Sequence, residues 1–316
     1  MDTILNLVIP CYNEEEVLPT TIKEIEAKMN QLINDKLISK KSRVVLVNDG
    51  SKDNTWELIT EIHKKNNMFV GIGLSRNKGH QTALLAGLMY AKDHSDISIS
   101  MDADLQDDIN VIDDMIKKYN TGADIVYGVR SSRKKDSFFK RVTAEVFYKF
   151  MNIMGVEVVF NHADCRLMSK RVLIELEKYK EVNLFLRGIV PQIGFKTDIA
   201  YYERGVRQAG ESKYPLKKML AFAMDGITSF SVKPLKMITS IGFIMLILSF
   251  LVLIYSIVMK VIGNTVSGWT FIVCSIWLIG GVQILCLGVI GEYIGKIYSE
   301  TKQRPRYIIE EVLKND

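Results

Sequence analysis

The amino-acid sequence predicts an α/β protein: a mostly parallel sheet with helices on both faces, continued by a two-helix transmembrane hairpin. Three observations carry this expectation. From Ile4 to Tyr127, short apolar runs alternate with helically spaced apolar positions. Four of those runs end in clusters of polar residues. Further along, no charged residue lies between Lys236 and Lys260, or between Lys260 and Glu292. The mean hydropathy of +0.10 is high for a chain with 24% charged residues, and these two stretches account for it.

The elements are expected in this order. Ile4–Pro10 reads as a strand, and Glu14–Ile33 as a helix with Val17, Ile22, Ile25, Met29 and Ile33 near the helical period. Arg43–Asn48 holds Val44, Val45, Leu46 and Val47, a buried strand. Asp53 or Asn54 caps the next helix, which runs through Trp56, Ile59 and Ile62. Phe69–Leu74 is a third strand, Gln81–Lys92 a helix, Ile97–Met101 a fourth strand, Ile109–Tyr119 a helix and Asp124–Tyr127 a fifth strand. Apolar strands alternating with helices argue for a parallel sheet covered on both faces, with right-handed crossovers. Phe138–Met154 is a helical stretch with Lys140, Arg141 and Lys149 interleaved; it suits either a core helix or a helix at a membrane surface. Residues 195–203 read as another strand, and Lys213–Lys236 as a basic amphipathic segment.

Met237–Met259 gives 23 residues without a charge, and about 20 suffice to span a bilayer. A second span is expected from near Trp269 to Gly291, after a short link around Gly263 and Asn264. Lys213, Lys217, Lys218, Lys233 and Lys236 precede the hairpin, Lys296, Lys302, Arg304 and Arg306 follow it, and only Lys260 lies between. The positive-inside rule then puts both termini in the cytoplasm. The Met-Asp-Thr-Ile start has no basic n-region, which agrees with a cytoplasmic N-terminal part. The layout expected is 1–212 as the cytoplasmic domain, 213–236 as the juxtamembrane segment, 237–295 as the hairpin and 296–316 as a cytoplasmic tail. Gly281, Gly288 and Gly295 recur every seven residues, and Gly291 and Gly295 form a GxxxG, suited to close helix contact within the hairpin or between copies. A homo-oligomer is expected, a tetramer being one form.

Composition excludes several classes. Lys+Arg 41 against Asp+Glu 36 leaves +5, too small an excess for a dedicated nucleic-acid binder. The four cysteines form no CxxC pair, so neither a zinc site nor a disulfide framework is expected. Gly71 and Gly73 lie inside a strand and open no GxGxxG, and no P-loop is present.

The polar clusters are Cys11-Tyr-Asn-Glu14, Asn48-Asp-Gly-Ser51, Ser75-Arg-Asn-Lys-Gly79 and Asp102-Ala-Asp104. Each follows a predicted strand, and ligands in open α/β sheets bind beyond the carboxyl ends of strands. Four such clusters outline one site. Asp102 and Asp104, two apart at a strand end, are hard oxygen donors suited to Mg²⁺ or Mn²⁺ carrying a diphosphate.

Val8-Ile-Pro-Cys-Tyr-Asn-Glu-Glu15, Val47-Asn-Asp-Gly-Ser-Lys-Asp-Asn-Thr55, Ser75-Arg-Asn-Lys-Gly-His80 and Asp102-Ala-Asp-Leu-Gln-Asp107 resemble the motifs of family 2 glycosyltransferases. The hairpin with Gly288-Val-Ile-Gly-Glu-Tyr-Ile-Gly295, and Arg304-Pro-Arg-Tyr307 after it, resembles the polyprenyl-phosphate branch, which includes undecaprenyl-phosphate and dolichol-phosphate-mannose-synthase-like enzymes. The resemblance covers essentially the whole chain. One departure is Asp107-Asp108-Ile109, where the family often has a proline; it bears on the turn more than on the metal.

The resemblance implies a GT-A, Rossmann-like fold. It implies that Pro10, Tyr12, Glu14 and Asp49 hold the nucleotide base and ribose, that Asp102 contacts the nucleotide end, and that Asp104 with Gln106 serves the metal and diphosphate. Lys78 would neutralise phosphate. Asp164, in His162-Ala-Asp-Cys-Arg-Leu-Met168, matches a proposed catalytic base, although a lipid phosphate is already a nucleophile and Asp164 would then orient a substrate. Arg130, Arg204, Arg207, Ser212 and Lys213 match groups that clamp phosphate, with Arg207 counted as catalytic. His80 and His162 read as hydrogen-bonded structural histidines.

The implied activity is inverting transfer of a sugar from a nucleotide sugar to polyprenyl (undecaprenyl) phosphate at the cytoplasmic membrane face, for modification of a cell-envelope glycan. UDP-GlcNAc and UDP-glucose lead as donors, with GDP-mannose behind. A processive polysaccharide synthase is disfavoured because two spans form no export channel and no Gln-x-x-Arg-Trp occurs. A non-catalytic membrane protein that binds nucleotide sugar or lipid phosphate is disfavoured by the Asp102/Asp104 pair and the basic Arg207–Lys213 stretch.

Overall fold

The computed structural model describes residues 3–130, 154, 162–182, 184–203, 227–228, 231–263 and 268–314. The chain forms two compact units. The first holds one eight-stranded sheet. Its strands are β1 (Leu5–Cys11), β2 (Arg43–Asn48), β3 (Phe69–Leu74), β4 (Ile97–Ser100), β5 (Ile125–Arg130), β6 (His162–Ser169), β7 (Thr197–Tyr202) and β8 (Ile309–Leu313), in the order β7-β5-β6-β4-β1-β2-β3-β8. Its helices are α1 (Leu18–Asn34), α2 (Thr55–Lys65), α3 (His80–His94), α4 (Val111–Asn120), α5 (Lys170–Glu177) and α6 (Leu186–Gln192). The second unit holds α7 (Lys233–Val261) and α8 (Trp269–Thr301).

The expected parallel core is present. β1 pairs in parallel with β2 and β4, β2 with β3, and β5 with β7. β1 is buried along its whole length, as a central strand with both faces covered must be. α1 lays Leu18, Ile22, Ile25, Met29 and Leu32 against the sheet at helical spacing. It starts at Leu18 rather than Glu14 because Pro19 occupies its first turn, where a missing N–H costs nothing. At α2, Asn54 takes the cap position without a side-chain capping bond, while Asp53 Oδ1 accepts from Thr55 N–H at 3.1 Å and Thr55 Oγ1 at 2.6 Å.

Two antiparallel strands make the sheet mostly, rather than wholly, parallel, as expected. β6 runs antiparallel to both β4 and β5. β8 runs antiparallel to β3 and becomes the sheet edge. The segment expected only as a cytoplasmic tail therefore contributes to the first unit. The helical stretch read at Phe138–Met154 and most of Lys213–Lys236 lie outside the described residues.

α7 and α8 run 29 and 33 residues. Phe243, Leu251, Ile284 and Leu287 are all exposed on them. Both helices are long and apolar enough to cross a membrane. Tyr293 Oη donates to the Ser231 carbonyl at 2.6 Å, tying α8 to the residue shortly before α7.

α3 packs directly over the first strands, and one glycine permits it. A Cβ on Gly87 would lie 2.4 Å from Val8 Cγ1 and 2.8 Å from Val47 Cγ2. Valine side chains are stiff and cannot yield easily. Gly87→Val should cost about 1–3 kcal/mol by overpacking, seen as a lower melting temperature of the detergent-solubilised protein. An unchanged melting temperature would mean that α3 shifts freely on the sheet.

Candidate functional site

The four predicted polar clusters meet beyond the carboxyl ends of β1, β2, β3 and β4. Asp49 N–H donates to the Cys11 carbonyl at 2.9 Å, and Asn13 N–H to Ser51 Oγ at 3.0 Å. Lys52 N–H returns to Asn13 Oδ1 at 2.9 Å, with Asn13 in the left-handed region at φ 54°. Glu14 N–H donates to Thr55 Oγ1 at 2.9 Å. The first two loops are thus laced together.

Asp49 joins the third loop to them. Its two carboxylate oxygens accept from Lys78 N–H at 2.7 Å and Gly79 N–H at 2.8 Å. Burial lifts Asp49 above the usual carboxylate range, while these two bonds and the charge of His80 pull the other way. Gly50 has φ 61°, and a Cβ there would lie 2.6 Å from the backbone of Arg76 and Asn77. Only glycine permits so close an approach. Pro10 is buried inside β1 opposite Val47, whereas Tyr12 stands exposed in the loop beyond.

The fourth loop carries the acids. Asp104 is held by Gln106, whose Nε2 donates to Oδ2 at 2.7 Å and whose N–H donates to Oδ1 at 3.2 Å. Leu105 between them has φ 45°, a conformation branched residues adopt only under constraint. Asp107 is buried and accepts from Tyr202 Oη on β7 at 2.6 Å, which anchors the far end of the loop. Asp102 Oδ1 is buried without a hydrogen-bond partner, and His80 Nε2 stands 3.5 Å away. Desolvation pushes Asp102 up to about 6; the charge of His80 opposes this, and Asp164, Asp107 and Asp104 add to it.

Asp164 faces the same space from β6. Arg187, on α6, grips it with a fork: Nε donates to Oδ1 at 3.0 Å and Nη2 to Oδ2 at 2.9 Å. Arg166, fully buried, donates through Nη2 to Oδ1 at 3.1 Å and through Nη1 to the Leu186 carbonyl at 3.3 Å. Burial alone would raise Asp164, but Arg187, then Arg166 and His80, hold it well below the usual carboxylate range. His80 Nε2 lies 3.9 Å from Asp164 Oδ2, so the imidazole stands between the two acids.

The structure therefore brings together Tyr12, Glu14, Asp49, Lys78, Asp102, Asp104 and Gln106 on neighbouring loops, with Asp164 approaching from β6. Arg130 ends β5, but its side chain, like Arg204, Arg207, Ser212 and Lys213, lies outside the described residues. Three participants were missed. Arg166 had a signal, since it sits two residues from Asp164 on one strand and so shares its face. Arg187 had none, because only the fold brings it across. His80 was set aside as structural and stands between two site acids.

Residues 6–177 match the model of glycosyl transferase family 2, and residues 233–297 match a GtrB C-terminal hairpin. The chain belongs to glycosyl transferase family 2. The uncharacterized glycosyltransferase YkoT of Bacillus subtilis (strain 168) is 53% identical over 313 residues, covering 99% of this chain and 93% of that protein. A prophage bactoprenol glucosyl transferase homolog of Escherichia coli (strain K12) is 41% identical over 315 residues, 98% of this chain and 99% of that one. The bactoprenol glucosyl transferase of Shigella phage SfV is 41% identical over 308 residues, 97% and 98% of the two chains. The α/β unit is thus the GT-A domain of a glycosyltransferase, and the apolar helices match the GtrB C-terminal hairpin.

Asp164 in this glycosyltransferase neutralises a buried cation. Asp164→Asn should lower stability by about 3–5 kcal/mol, because Arg166 then lacks its carboxylate. Its folded-state affinity for protons is depressed, so its stabilising contribution is complete above the unfolded value of about 3.9 and fades as pH falls below it. Denaturant unfolding should show a constant gap between wild type and variant from about pH 8 to about pH 5, narrowing at lower pH. A gap that grows on acidification would overturn the assignment.

Proposed function

We propose that the protein transfers a sugar from a nucleotide sugar to polyprenyl phosphate at the cytoplasmic face of a membrane, with inversion at the anomeric carbon. The observation that carries this is the convergence of four strand-end loops on Asp102 and Asp104 in a chain that also has two membrane-length helices. UDP-glucose and UDP-GlcNAc are the leading donors. Glucose is favoured by the names of the Escherichia coli and Shigella phage relatives.

The residues divide the work as follows. Tyr12, Glu14 and Asp49 receive the nucleotide, with Pro10 beneath them, and Lys78 faces the diphosphate. Among the described residues, no group of three or more His, Cys, Asp or Glu is placed to hold a metal. Asp102 and Asp104 nonetheless fit Mg²⁺ or Mn²⁺: both are hard donors, Asp102 Oδ1 accepts no hydrogen bond, and Gln106 steadies Asp104. The ion, when bound, offsets the charge that develops on the departing diphosphate. Arg130, Arg204, Arg207, Ser212 and Lys213 are assigned to the acceptor phosphate. A phosphate oxygen of the acceptor bonds to the anomeric carbon as its bond to the diphosphate breaks. That oxygen is already anionic, so no strong base is needed. Asp164, gripped by two arginines, is a weak proton acceptor and is assigned to orienting the substrates.

Purified protein incubated with polyprenyl phosphate and a panel of nucleotide sugars should yield one lipid-phosphate sugar by mass spectrometry. Asp104→Ala should abolish that product while leaving the melting temperature nearly unchanged. No product with any donor would overturn the transferase assignment for lipid phosphate, and full turnover by Asp104→Ala would overturn the metal assignment.

Both termini are proposed to face the cytoplasm. In a cysteine-free background, Asn264→Cys should react with an impermeant thiol reagent on intact cells, whereas Thr3→Cys and Lys314→Cys should react only after permeabilisation. External labelling of either terminal position would reverse the topology.

A further inference from the structure

Arg304-Pro-Arg-Tyr307 and the strand after it have no part in the chemistry proposed above. Their contacts give them one. Arg306 Nη1 donates to the carbonyl of Tyr179, two residues past α5, at 2.8 Å. Two residues later, the Ile308 carbonyl accepts from the N–H of Ser75, the first residue after β3, at 3.1 Å. β8 then runs down β3, with Leu74 opposite Ile309, Gly73 opposite Glu311, Ile72 opposite Val312 and Gly71 opposite Leu313. Leu313 packs closely beside Gly71, where a Cβ would meet its Cδ1 at 2.9 Å.

The loop from Ser75 to Gly79 is therefore held at both ends. Asp49 takes the amides of Lys78 and Gly79, and the returning segment takes the amide of Ser75. Without β8, β3 would be a bare edge containing Gly71 and Gly73, the residue type that stiffens a strand least. The irregularity in the β3–β8 ladder falls between Gly73 and Leu74, next to where the loop begins.

We propose that Arg306–Leu313 is a positioning strap for the 75–79 loop, so that donor binding depends on residues that follow the membrane hairpin. The proposal rests on the assignment of that loop to the donor. None of the strap residues touches the reacting atoms; they act through Ser75.

The test uses the full-length chain. Successive strand amides point to opposite sides, so a Glu311→Pro/Val312→Pro double variant removes a ladder bond whichever way β8 faces. Arg306→Ala is the milder change, with Arg306→Lys as the conservative control. Two quantities are measured: hydrogen exchange at the 75–79 amides, and the KM for whichever of UDP-glucose and UDP-GlcNAc the wild type uses, against kcat and the acceptor KM. The double variant should speed exchange at 75–79 at least tenfold, with α1 and β1 unchanged, and raise the donor KM about tenfold with kcat and acceptor KM within about twofold. Arg306→Ala should do the same more weakly, and Arg306→Lys should recover part of the loss. If the double variant fails to fold, the Arg306 pair decides. Unchanged exchange at 75–79 overturns the strap, as does faster exchange with an unchanged donor KM or an equal loss in every kinetic constant. A wild-type protein that binds neither UDP-glucose nor UDP-GlcNAc overturns the donor assignment instead, and exchange still judges the strap.

Discussion

A charge with no water around it organises one side of this fold. Arg166 is fully buried in β6, and several kcal/mol of lost hydration must be offset there. Asp164 supplies the nearest opposite charge. Because Arg187 grips the same carboxylate, α6 is drawn in to close over it. Leu186, at the start of α6, donates to Gln81 Oε1 at 2.8 Å, so the start of α3 is fixed by the same cluster. His80, its neighbour in sequence, is thereby placed between Asp102 and Asp164. The two acids are driven apart in proton affinity, Asp102 upward by desolvation and Asp164 downward by its arginines. Neighbouring carboxylates thus sit in opposite environments.

How much of this was legible in the chain depended on whether a residue's partner was local. β1, β2 and β3 announced themselves because buried parallel strands are largely apolar on both faces, and β4, Ile-Ser-Ile-Ser, by its alternation. Their polar ends were legible for the complementary reason: backbone and side chains there meet a ligand or water. β6 was not, because it carries the charged Asp164 and the fully buried Arg166, a pairing that makes sense only once Arg187 arrives from elsewhere. β8 reads as Ile-Glu-Glu-Val-Leu, a charged tail by composition. Only the presence of an open β3 edge turns it into a strand. The lacing of the loops through Asp49 was likewise invisible, since its partners Lys78 and Gly79 lie in another strand-end cluster.

The second unit answers a different solvent. Helices of 29 and 33 residues extend about 44 and 50 Å, against a hydrocarbon core of about 30 Å. Their exposed Phe243, Leu251, Ile284 and Leu287 would be a liability in water and are ordinary in lipid. Beyond the charge-free stretch, α8 continues without a break through Glu292, Lys296 and Glu300.

β8 also sets a timetable. Leu74 and its partner Ile309 are separated by the whole of both apolar helices, so the sheet's last pairing cannot form while the ribosome is still making them. A nascent chain must complete α7 and α8 before the 75–79 loop gains its final support. Until then the β3 edge is open to pairing with other chains. A chain released before Leu313 would keep its β3 edge open, so the loop that follows β3 gains its support only once translation has passed both helices.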